Sequence, residues 1–461
     1  MRRMASGPET QPKPEARKTL EPVVPFIKVD PRLRVVSLRY KVPIEILASI
    51  KLDPEKVARA YRTGNDRTYF ELASVKGKVT IMGRPLAFGA VAKEDEVWIK
   101  LTLPVGTFYW VMPRTEFVKT TPEQWYEKLS SWFIATAERR PIKKTKNGTI
   151  YGWFIRKIAW LKIDEDVESF KWLVEKLRGA GHDDPILNAM LLLLRYNPKV
   201  LSEDAKSTLV ARIIPLVATE PIHTIELTIP GTGKSTVATM YSFTLNWLYF
   251  TEPPSVATLI GDARTGKSTI AGARGVWLDE IDKWTRGTTK REDLRQAIEA
   301  MLTGMEQGLW IRGKGGEKQI KVYNPIPVYL SGNVGLTPAH PREVVMSVIE
   351  AIVGRPGALA FNERITVAVS VHKDVADEIQ RSVLPTIVRP SVLRGAVKYL
   401  QMKYAELNDP PDHVVDSRFK GRFRRHVKRV AKALAVLFER TPDDPDVIEV
   451  AQKLVEGYVA C

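Results

Sequence analysis

The sequence predicts an α/β fold built on a parallel sheet, with a small β-rich module and a helical segment before it and a helical segment after it. Three observations support this prediction. From about residue 209, short apolar runs alternate with helical patterns, and polar residues follow each run. One run, residues 225–229, leads into a glycine-rich loop and a helix, which is typical of phosphate-binding sites. Another, residues 276–278, ends in two carboxylates, as expected at the carboxyl edge of a parallel sheet.

The length of the chain indicates several domains, because 461 residues exceed what one hydrophobic core usually holds. The first residues are rich in Pro, Lys and Glu, a composition that favours disorder. We expect five segments: a disordered tail (1–25), a β-rich module (26–120), a helical linker (121–208), the α/β core (209–385) and a helical C-terminal segment (386–461).

Local patterns predict the elements of the first half. Alternating and β-branched residues predict strands at 68–75, 78–82, 97–103 and 107–111. Apolar spacing of three and four predicts helices at 54–61, 123–138, 167–177 and 185–196. Residues 139–148 (RRPIKKTKNG) are interpreted as a basic loop that either contacts phosphates or stays solvated, and we favour the solvated interpretation.

Charge and cysteine content limit the classes of partner. The formal net charge of +17 favours a polyanion such as nucleic acid, although a generally basic surface would give the same number. Cys461 is the one cysteine, so an intrachain disulfide and a structural zinc ribbon are excluded. No apolar run reaches the length of a membrane span, and the N-terminus lacks the apolar segment of a signal peptide. We therefore expect a cytoplasmic protein without a membrane partner.

Two segments compete for the role of the P-loop. Residues 261–268 (GDARTGKS) match the strict pattern G-x-x-x-x-G-K-[ST], whereas residues 228–235 (TIPGTGKS) miss it because Thr228 replaces the first glycine. A working P-loop follows a buried strand and opens a helix of several turns. Residues 228–235 have such a strand before them and a helical pattern over 235–250 after them. We therefore predict that Lys234 is the phosphate-binding lysine.

The strict match lacks room for a helix. Lys267 lies twelve residues before Asp279, and Gly272 and Gly275 interrupt the intervening stretch. Thr265-Gly266 is interpreted instead as the tip of a hairpin. That hairpin would present Arg264 and Lys267 to solvent.

The acidic residues after the second strand complete a nucleotide site. Residues 275–284 (GVWLDEIDKW) have the form of a Walker B motif, in which Asp279 would hold magnesium and Glu280 would polarise the attacking water. A third strand at 326–330 is followed by Asn333, which would lie between the two motifs and orient the same water.

Several of these segments resemble the AAA+ core of the minichromosome-maintenance (MCM) helicases. The Walker B segment, the hairpin segment GDARTGKSTIAG and residues 305–316 (MEQGLWIRGKGG) are similar to MCM motifs, and the last places Lys314 at a DNA-contacting hairpin. ALAFNERITVAV resembles the MCM segment that carries the arginine finger, which implies that role for Arg364. Residues 390–404 and 423–455 resemble the helical lid, where the sensor 2 arginine is Arg422 or Arg425.

A second resemblance covers the P-loop itself. PLVATEPIHTIELTIPGTGKST is similar to the Lon-like AAA+ ATPases of BREX phage-defence systems. Together the two resemblances extend over residues 209–461 and do not reach the N-terminal half.

These resemblances imply an ATP- and Mg²⁺-dependent hydrolase that works as a homo-oligomeric, hexameric ring. ATP would be bound by residues of the loop and of the two later motifs: Pro230, Gly231, Thr232, Gly233, Lys234, Ser235, Thr236, Asp279, Arg422 and Arg425. Ser235 and Asp279 would hold the metal, while Lys234, Glu280, Asn333 and Arg364 would act in catalysis. The DNA-contact candidates are Arg264, Lys267, Arg312 and Lys314.

The leading functional hypothesis is a helicase or translocase on DNA. One alternative is a protein remodeller, because Trp310 lies near a basic hairpin and aromatic pore tips are typical of that class. The other is an ATP-gated DNA-binding scaffold without translocation.

Overall fold

The structure is a computed structural model that describes residues 26–27, 30–74, 77–129, 131–145, 148–161, 164–262, 267–268, 270–284, 291–312, 320–333 and 340–460. Its helices are α1 (Pro31–Tyr40), α2 (Ile44–Ser49), α3 (Pro54–Asn65), α4 (Arg67–Ala73), α5 (Arg114–Phe117), α6 (Pro122–Leu129), α7 (Val167–Gly179), α8 (Pro185–Leu193), α9 (Glu203–Val217), α10 (Lys234–Leu245), α11 (Val256–Ile260), α12 (Arg291–Gln307), α13 (Pro341–Asn362), α14 (Lys373–Ser382), α15 (Pro390–Glu406), α16 (Gly421–Phe438) and α17 (Pro445–Glu456). Its strands are β1 (Phe26–Ile27), β2 (Lys78–Gly83), β3 (Ala87–Ala92), β4 (Glu96–Leu103), β5 (Gly106–Pro113), β6 (Phe133–Thr145), β7 (Gly148–Trp160), β8 (Thr224–Thr228), β9 (Trp247–Phe250), β10 (Gly261–Asp262), β11 (Lys267–Ser268), β12 (Gly275–Leu278), β13 (Leu309–Arg312), β14 (Ile320–Tyr323), β15 (Val328–Asn333), β16 (Val367–Val371), β17 (Ile387–Val388) and β18 (Tyr458–Ala460).

The second half of the chain forms a parallel sheet in the order β18-β16-β8-β15-β12-β9. All five strand pairs are parallel, with Thr224 opposite both Tyr329 and Val367. The carboxyl ends of β8, β15 and β12 therefore meet at one edge, where open α/β sheets bind ligands. This confirms the α/β prediction and the parallel sheet.

Helices cover both faces of this sheet, as parallel strands require. Successive strand residues alternate between two apolar clusters: Trp277 and Tyr329 pack on one face, and Val276 and Val328 pack on the other. The first cluster combines α7–α9 with α15–α17, and the second is formed with α11–α13. The C-terminal helices therefore share a core with the helices that precede the P-loop.

The first half contains a second six-stranded sheet, in the order β2-β6-β7-β5-β4-β3. Its pairs are antiparallel except for β5 with β7. β6 and β7 belong to this sheet but come after residue 120, so the sheet crosses the domain boundary that was expected there. α1–α3 come before the sheet, and their apolar cluster includes Phe243 of α10, so they contact the half of the chain that forms the parallel sheet.

Several local predictions were wrong. The strand expected at 68–75 is helix α4, because Asp66 caps its N-terminus and Phe70 packs in the core. The helix expected at 123–138 ends at Leu129, and 139–145, expected to be a loop, continue β6 in a hairpin with β7. The helix expected at 235–250 ends at Leu245, where Asn246 takes a left-handed conformation, and β9 follows. The C-terminus ends in strand β18 rather than in a helix.

Helix α13 is the described helix whose length and apolar composition would allow it to cross a membrane. It is interrupted at Gly354, where φ is +78°, and it contains Pro356. Near its start, the buried guanidinium of Arg342 donates to the carbonyls of Val455 and Ile365, which ties the helix to the C-terminal part of the fold. Val345, Ile349 and Phe361 of this helix also pack in the apolar cluster on one face of the sheet.

Candidate nucleotide-binding site

The loop between β8 and α10 has the backbone form of a P-loop. Gly231 has φ +98° and Gly233 has φ +81°, a region that favours glycine over any residue with a Cβ. Helix α10 begins at Lys234 with no side-chain cap on its amino terminus. The first amides of a helix have no intrahelical acceptor, so those of Ser235 and Thr236 suit an anion at this end.

The side chain of Lys234 lies in the middle of the site and is 6 % exposed. Its ammonium donates to the carbonyl and hydroxyl of Thr228, to the Gly332 carbonyl at 3.1 Å and to Asn333 Oδ1 at 3.2 Å. Burial lowers the pKa of Lys234, although nearby Glu226 and Asp279 oppose this shift. The lysine thus joins the end of the P-loop strand to the end of β15.

Asp279, at the end of β12, accepts hydrogen bonds at both carboxylate oxygens. Ser235 Oγ and the Tyr249 hydroxyl each lie 3.2 Å from Oδ2, and Ser331 Oγ lies 2.7 Å from Oδ1. Trp277 Nε1 in turn donates to Ser331 Oγ at 2.8 Å. These bonds hold the carboxylate against the first turn of α10.

The Ser235 hydroxyl and the Asp279 carboxylate are ligands of the kind that Mg²⁺ uses, together with water and substrate phosphates. Among the described residues there is no group of three or more His, Cys, Asp or Glu side chains that could hold a metal by themselves. One hydroxyl and one carboxylate are the protein ligands that a magnesium ion bound to a nucleotide would need here.

Glu280 follows Asp279 in a left-handed conformation, with φ +55°. Non-glycine residues adopt this region infrequently, and such residues cluster at functional sites. The Glu280 carboxylate is 36 % exposed and pairs with Lys283 one turn later. The unusual backbone places this carboxylate on the solvent side of Asp279.

Asn333 ends β15, the strand between those that carry the P-loop and Asp279. The backbone N–H of Asn333 donates to Asp282 Oδ1 at 2.8 Å, which fixes the end of the strand. The structure thus brings Lys234, Ser235, Asp279 and Asn333 together as expected from their spacing. Their catalytic roles stay predictions.

The strict motif at 261–268 has a different form. β10 and β11 pair as an antiparallel hairpin, with Asp262 opposite Lys267, and a 3₁₀ turn at Ile270–Gly272 follows rather than an α-helix. Arg264 and the hairpin tip lie outside the described residues, and so does the Lys267 side chain.

The second basic hairpin, β13 with β14, lies beside the first. The guanidinium of Arg312 donates to the Gly261 carbonyl and so connects the two hairpins. Lys314 lies outside the described residues. Trp310 is fully buried and donates through Nε1 to the Asn324 carbonyl at 2.8 Å. It therefore does not form an aromatic tip on this hairpin.

Arg364, Arg422 and Arg425 line one cavity of about 280 Å³. Arg364 and Arg422 both pair with Glu306, and the two arginines hold the pKa of Glu306 below its ordinary value against the opposing effect of burial. His223, just before β8, lines the same cavity. The arginines are thus at the amino edge of the sheet, opposite the P-loop.

Sequence patterns did not identify three residues that shape the site. Tyr249 and Ser331 bond Asp279, and Arg212 bonds the P-loop carbonyl of Thr232 from below at 2.9 Å. Tyr249 lies in β9, within the stretch that the sequence assigned to the P-loop helix, and Ser331 stands at a buried strand position. A polar residue inside an apolar strand is the signal that could have identified Ser331, because buried polar groups need a partner.

The chain is similar to several known proteins. Residues 166–367 match the family model described as "Lon-like protease BrxL-like, ATPase domain". An uncharacterized protein of Acidianus filamentous virus 2 is 25 % identical over 390 residues, covering 80 % of this chain and 86 % of that protein. Relatives of similar extent come from Sulfolobus islandicus rod-shaped virus 1, with 26 % identity over 76 % of each chain, and Acidianus filamentous virus 1, with 24 % identity over 83 % of this chain and 88 % of the relative.

The matched segment contains the P-loop, Asp279, Asn333 and Arg364, and it ends before Arg422 and Arg425. The resemblance to MCM helicases stays a prediction. What the match supports is an ATPase domain of the BrxL-like kind, with nucleotide use and hydrolysis of ATP.

Proposed function

We propose that this protein is an AAA+ motor that hydrolyses ATP in a ring of identical subunits and acts on DNA. Hydrolysis rests on the family match and on the grouping of Lys234, Ser235 and Asp279. The ring rests on the position of Arg364 relative to the P-loop, and the DNA substrate rests on two basic hairpins.

The residues of the site divide the chemistry of phosphoryl transfer among them. Lys234 and the amides at the start of α10 neutralise the β- and γ-phosphates. Ser235 and Asp279 would hold the magnesium ion, which would offset the negative charge of the phosphates. Glu280 polarises the attacking water, and Asn333 orients it.

The main observation in favour of a ring is the position of the cavity lined by Arg364, Arg422 and Arg425. β8 and β16 run parallel, with Val367 opposite Thr224. Arg364 comes before β16 and therefore lies at the amino edge of the sheet, whereas the P-loop comes after β8 and lies at the carboxyl edge. The five residues of β8 separate the two edges by about 15 Å at the usual rise per residue. An arginine at the amino edge cannot reach its own γ-phosphate, but it can reach that of an adjacent subunit.

Arg422 and Arg425 line the same cavity, so we propose that they act with Arg364 on the adjacent subunit's nucleotide. Arginine donors supplied from a neighbour stabilise charge that develops in the transition state. The Glu306 carboxylate holds Arg364 and Arg422 in place until a phosphate competes for them.

DNA is supported by charge and by the two adjacent hairpins. The chain carries a net charge of +17, and the hairpins joined by the bond from Arg312 to Gly261 include Lys267 and Arg312 in their strands. Basic hairpins bind phosphates in a salt-dependent, largely sequence-independent way. The burial of Trp310 removes the observation that favoured a protein remodeller. The three viral relatives favour a viral role for the motor.

A mixing experiment tests the ring. Arg364→Ala subunits and Lys234→Ala subunits should each be inactive alone, whereas mixed rings should recover part of the ATPase activity because each supplies the half-site that the other lacks. The control is a mixture of Lys234→Ala with Glu280→Gln, which shares a defective half-site and should not recover. Mixed rings without recovery would refute the action of Arg364 on a neighbour.

A second experiment tests the substrate. Single- or double-stranded DNA should stimulate ATP hydrolysis, and Lys314→Ala should reduce this stimulation and the salt dependence of DNA binding while basal hydrolysis continues. Unchanged DNA binding and stimulation in Lys314→Ala would favour protein remodelling instead.

A further inference from the structure

A fully buried ion pair lies directly beneath the P-loop. Arg212 of α9 and Glu226 of β8 are both 0 % exposed, and their side chains form a two-point contact in which Arg212 Nε lies 2.9 Å from Glu226 Oε2. Such a pair is a poor source of stability, because desolvation of both charges offsets their attraction. Its place in the fold indicates another role.

The remaining donors of Arg212 bind the P-loop itself. Arg212 Nη1 donates to the Thr232 carbonyl at 2.9 Å, and the buried Tyr196 hydroxyl donates to the same oxygen at 2.9 Å. Arg212 Nη2 lies 3.3 Å from Thr232 Oγ1. Two donors thus hold one loop carbonyl towards the core.

This contact determines where the next amide points. In a trans peptide the C=O and the N–H lie on opposite sides of the chain. Since the Thr232 carbonyl points down into the core, the N–H of Gly233 points up, to the side where phosphates bind a P-loop. The positive φ of Gly233 lets the chain enter α10 from that orientation.

The ion pair of Arg212 with Glu226 is also connected to β15 and β12, the strands that end at Asn333 and just before Asp279. The Tyr329 hydroxyl of β15 donates to Glu226 Oε2 at 2.6 Å. The Tyr329 ring stacks on Trp277 of β12 at 4.0 Å, and Trp277 reaches Asp279 through Ser331. Contacts therefore run from the ion pair to the P-loop on one side and to the magnesium-binding carboxylate on the other.

We propose that Arg212 and Glu226 are positioning residues for phosphate binding: Arg212 holds the Thr232 carbonyl inward so that the Gly233 amide meets the phosphates, and Glu226 holds Arg212. Glu226 also balances the charge of Arg212 beside Lys234, whose ammonium would otherwise face an unpaired buried cation. This inference rests on the assignment of residues 231–235 as the working P-loop.

Paired substitutions separate this role from plain stability. Arg212→Met leaves the buried Glu226 carboxylate without its cationic partner, so that variant should lose stability as well as ATP binding. The double variant Arg212→Met with Glu226→Leu replaces the pair by apolar groups and should recover most of the melting temperature that Arg212→Met loses. It should still bind a fluorescent ATP analogue about tenfold more weakly, because the Thr232 carbonyl has lost its charged donor.

Tyr196→Phe is a milder test, since it removes one of the two donors to Thr232 and leaves the ion pair. It should weaken binding of the analogue severalfold with little change in melting temperature. The matched control is Arg195→Met with Glu45→Leu, which removes an ion pair of 2.9 Å between α2 and the residue next to Tyr196. That control should bind the analogue as the wild type does.

The outcomes distinguish this inference from the P-loop assignment. If the Arg212/Glu226 double variant folds with wild-type stability and binds the analogue with wild-type affinity, the pair is structural only and the inference is overturned. If Lys234→Ala also binds the analogue normally, the P-loop assignment itself fails. Weak binding in the double variant and in Tyr196→Phe, with a normal control, supports the proposed positioning.

Discussion

Substitution of Gly233 by alanine probes the P-loop backbone. Two costs can be worked out from the structure. The φ of +81° is unfavourable for an L-residue by about 1 kcal/mol. A Cβ there would lie 2.6 Å from the Tyr196 hydroxyl, which is buried and bonded to the Thr232 carbonyl. Displacing that hydroxyl leaves buried groups unpaired and costs about 1–3 kcal/mol more.

Gly233→Ala should therefore lower the free energy of unfolding by about 2–4 kcal/mol and strongly weaken nucleotide binding. The control is Gly181→Ala, where φ is +73° and a Cβ would meet nothing within 4 Å. It should cost about 1 kcal/mol and leave nucleotide affinity unchanged. Urea unfolding followed by circular dichroism, with titration of a fluorescent ATP analogue, measures both effects. Equal destabilisation in the two variants, with normal nucleotide binding in Gly233→Ala, would refute this description of the loop.

Three further predictions address Glu280, Tyr249 and the buried histidines. Glu280→Gln should bind ATP normally but hydrolyse it about a hundredfold more slowly in a steady-state assay, because the water loses its base; near-normal turnover would contradict its role. Burial, with the neighbouring Asp279, raises the pKa of Tyr249 to about 12, so its hydroxyl stays a hydrogen-bond donor to Asp279 at ordinary pH. Tyr249→Phe should weaken Mg²⁺-ATP binding severalfold in calorimetry. Unchanged affinity would show that the hydrogen bond from Tyr249 to Asp279 is dispensable. Burial lowers the pKa of His223 to about 4 and that of His426 to about 3, so both imidazoles are neutral in the folded protein at neutral pH. The free energy of unfolding should therefore be unaffected by these histidines above about pH 6.5, and it should fall by up to about 1.4 kcal/mol per pH unit per histidine between pH 6.5 and 4. His426→Asn should reduce this slope in urea titrations.

The parallel sheet and the P-loop were predictable because their signals are local. A buried strand, two glycines and a helix within about twenty residues determine the loop, and the apolar run before Asp279 determines the next strand. The same reasoning separated residues 231–235 from the stricter motif at 261–268, since only the first leaves room for a helix. The structure has a helix after the first and a hairpin at the second.

The errors arose where tertiary packing decides the local structure. Residues 133–138 have helical spacing, but Ala135 and Ala137 lie on the buried face of β6, opposite β2 and β7. Pairing across the sheet therefore outweighs local propensity. The ion pair of Arg212 with Glu226 was also not predicted, because fourteen residues separate its members and nothing local indicates that they meet.

The position of the arginines could be predicted only in part. The resemblance selected Arg364, Arg422 and Arg425, but the sequence does not indicate that they share a cavity. That follows from the packing of α16 near the amino edge of the sheet, beside His223 and Arg364. The cavity brings the three separate candidates together, as the proposed contact with an adjacent subunit requires.

The most direct test of the central claim compares Lys234→Ala with Lys267→Ala. We predict that Lys234→Ala abolishes ATP hydrolysis, because the γ-phosphate loses the one lysine of the loop that opens α10. Lys267→Ala should bind and hydrolyse ATP as the wild type does, with at most weaker stimulation by DNA. Loss of ATP binding in Lys267→Ala, with hydrolysis retained in Lys234→Ala, would contradict the assignment of the nucleotide site.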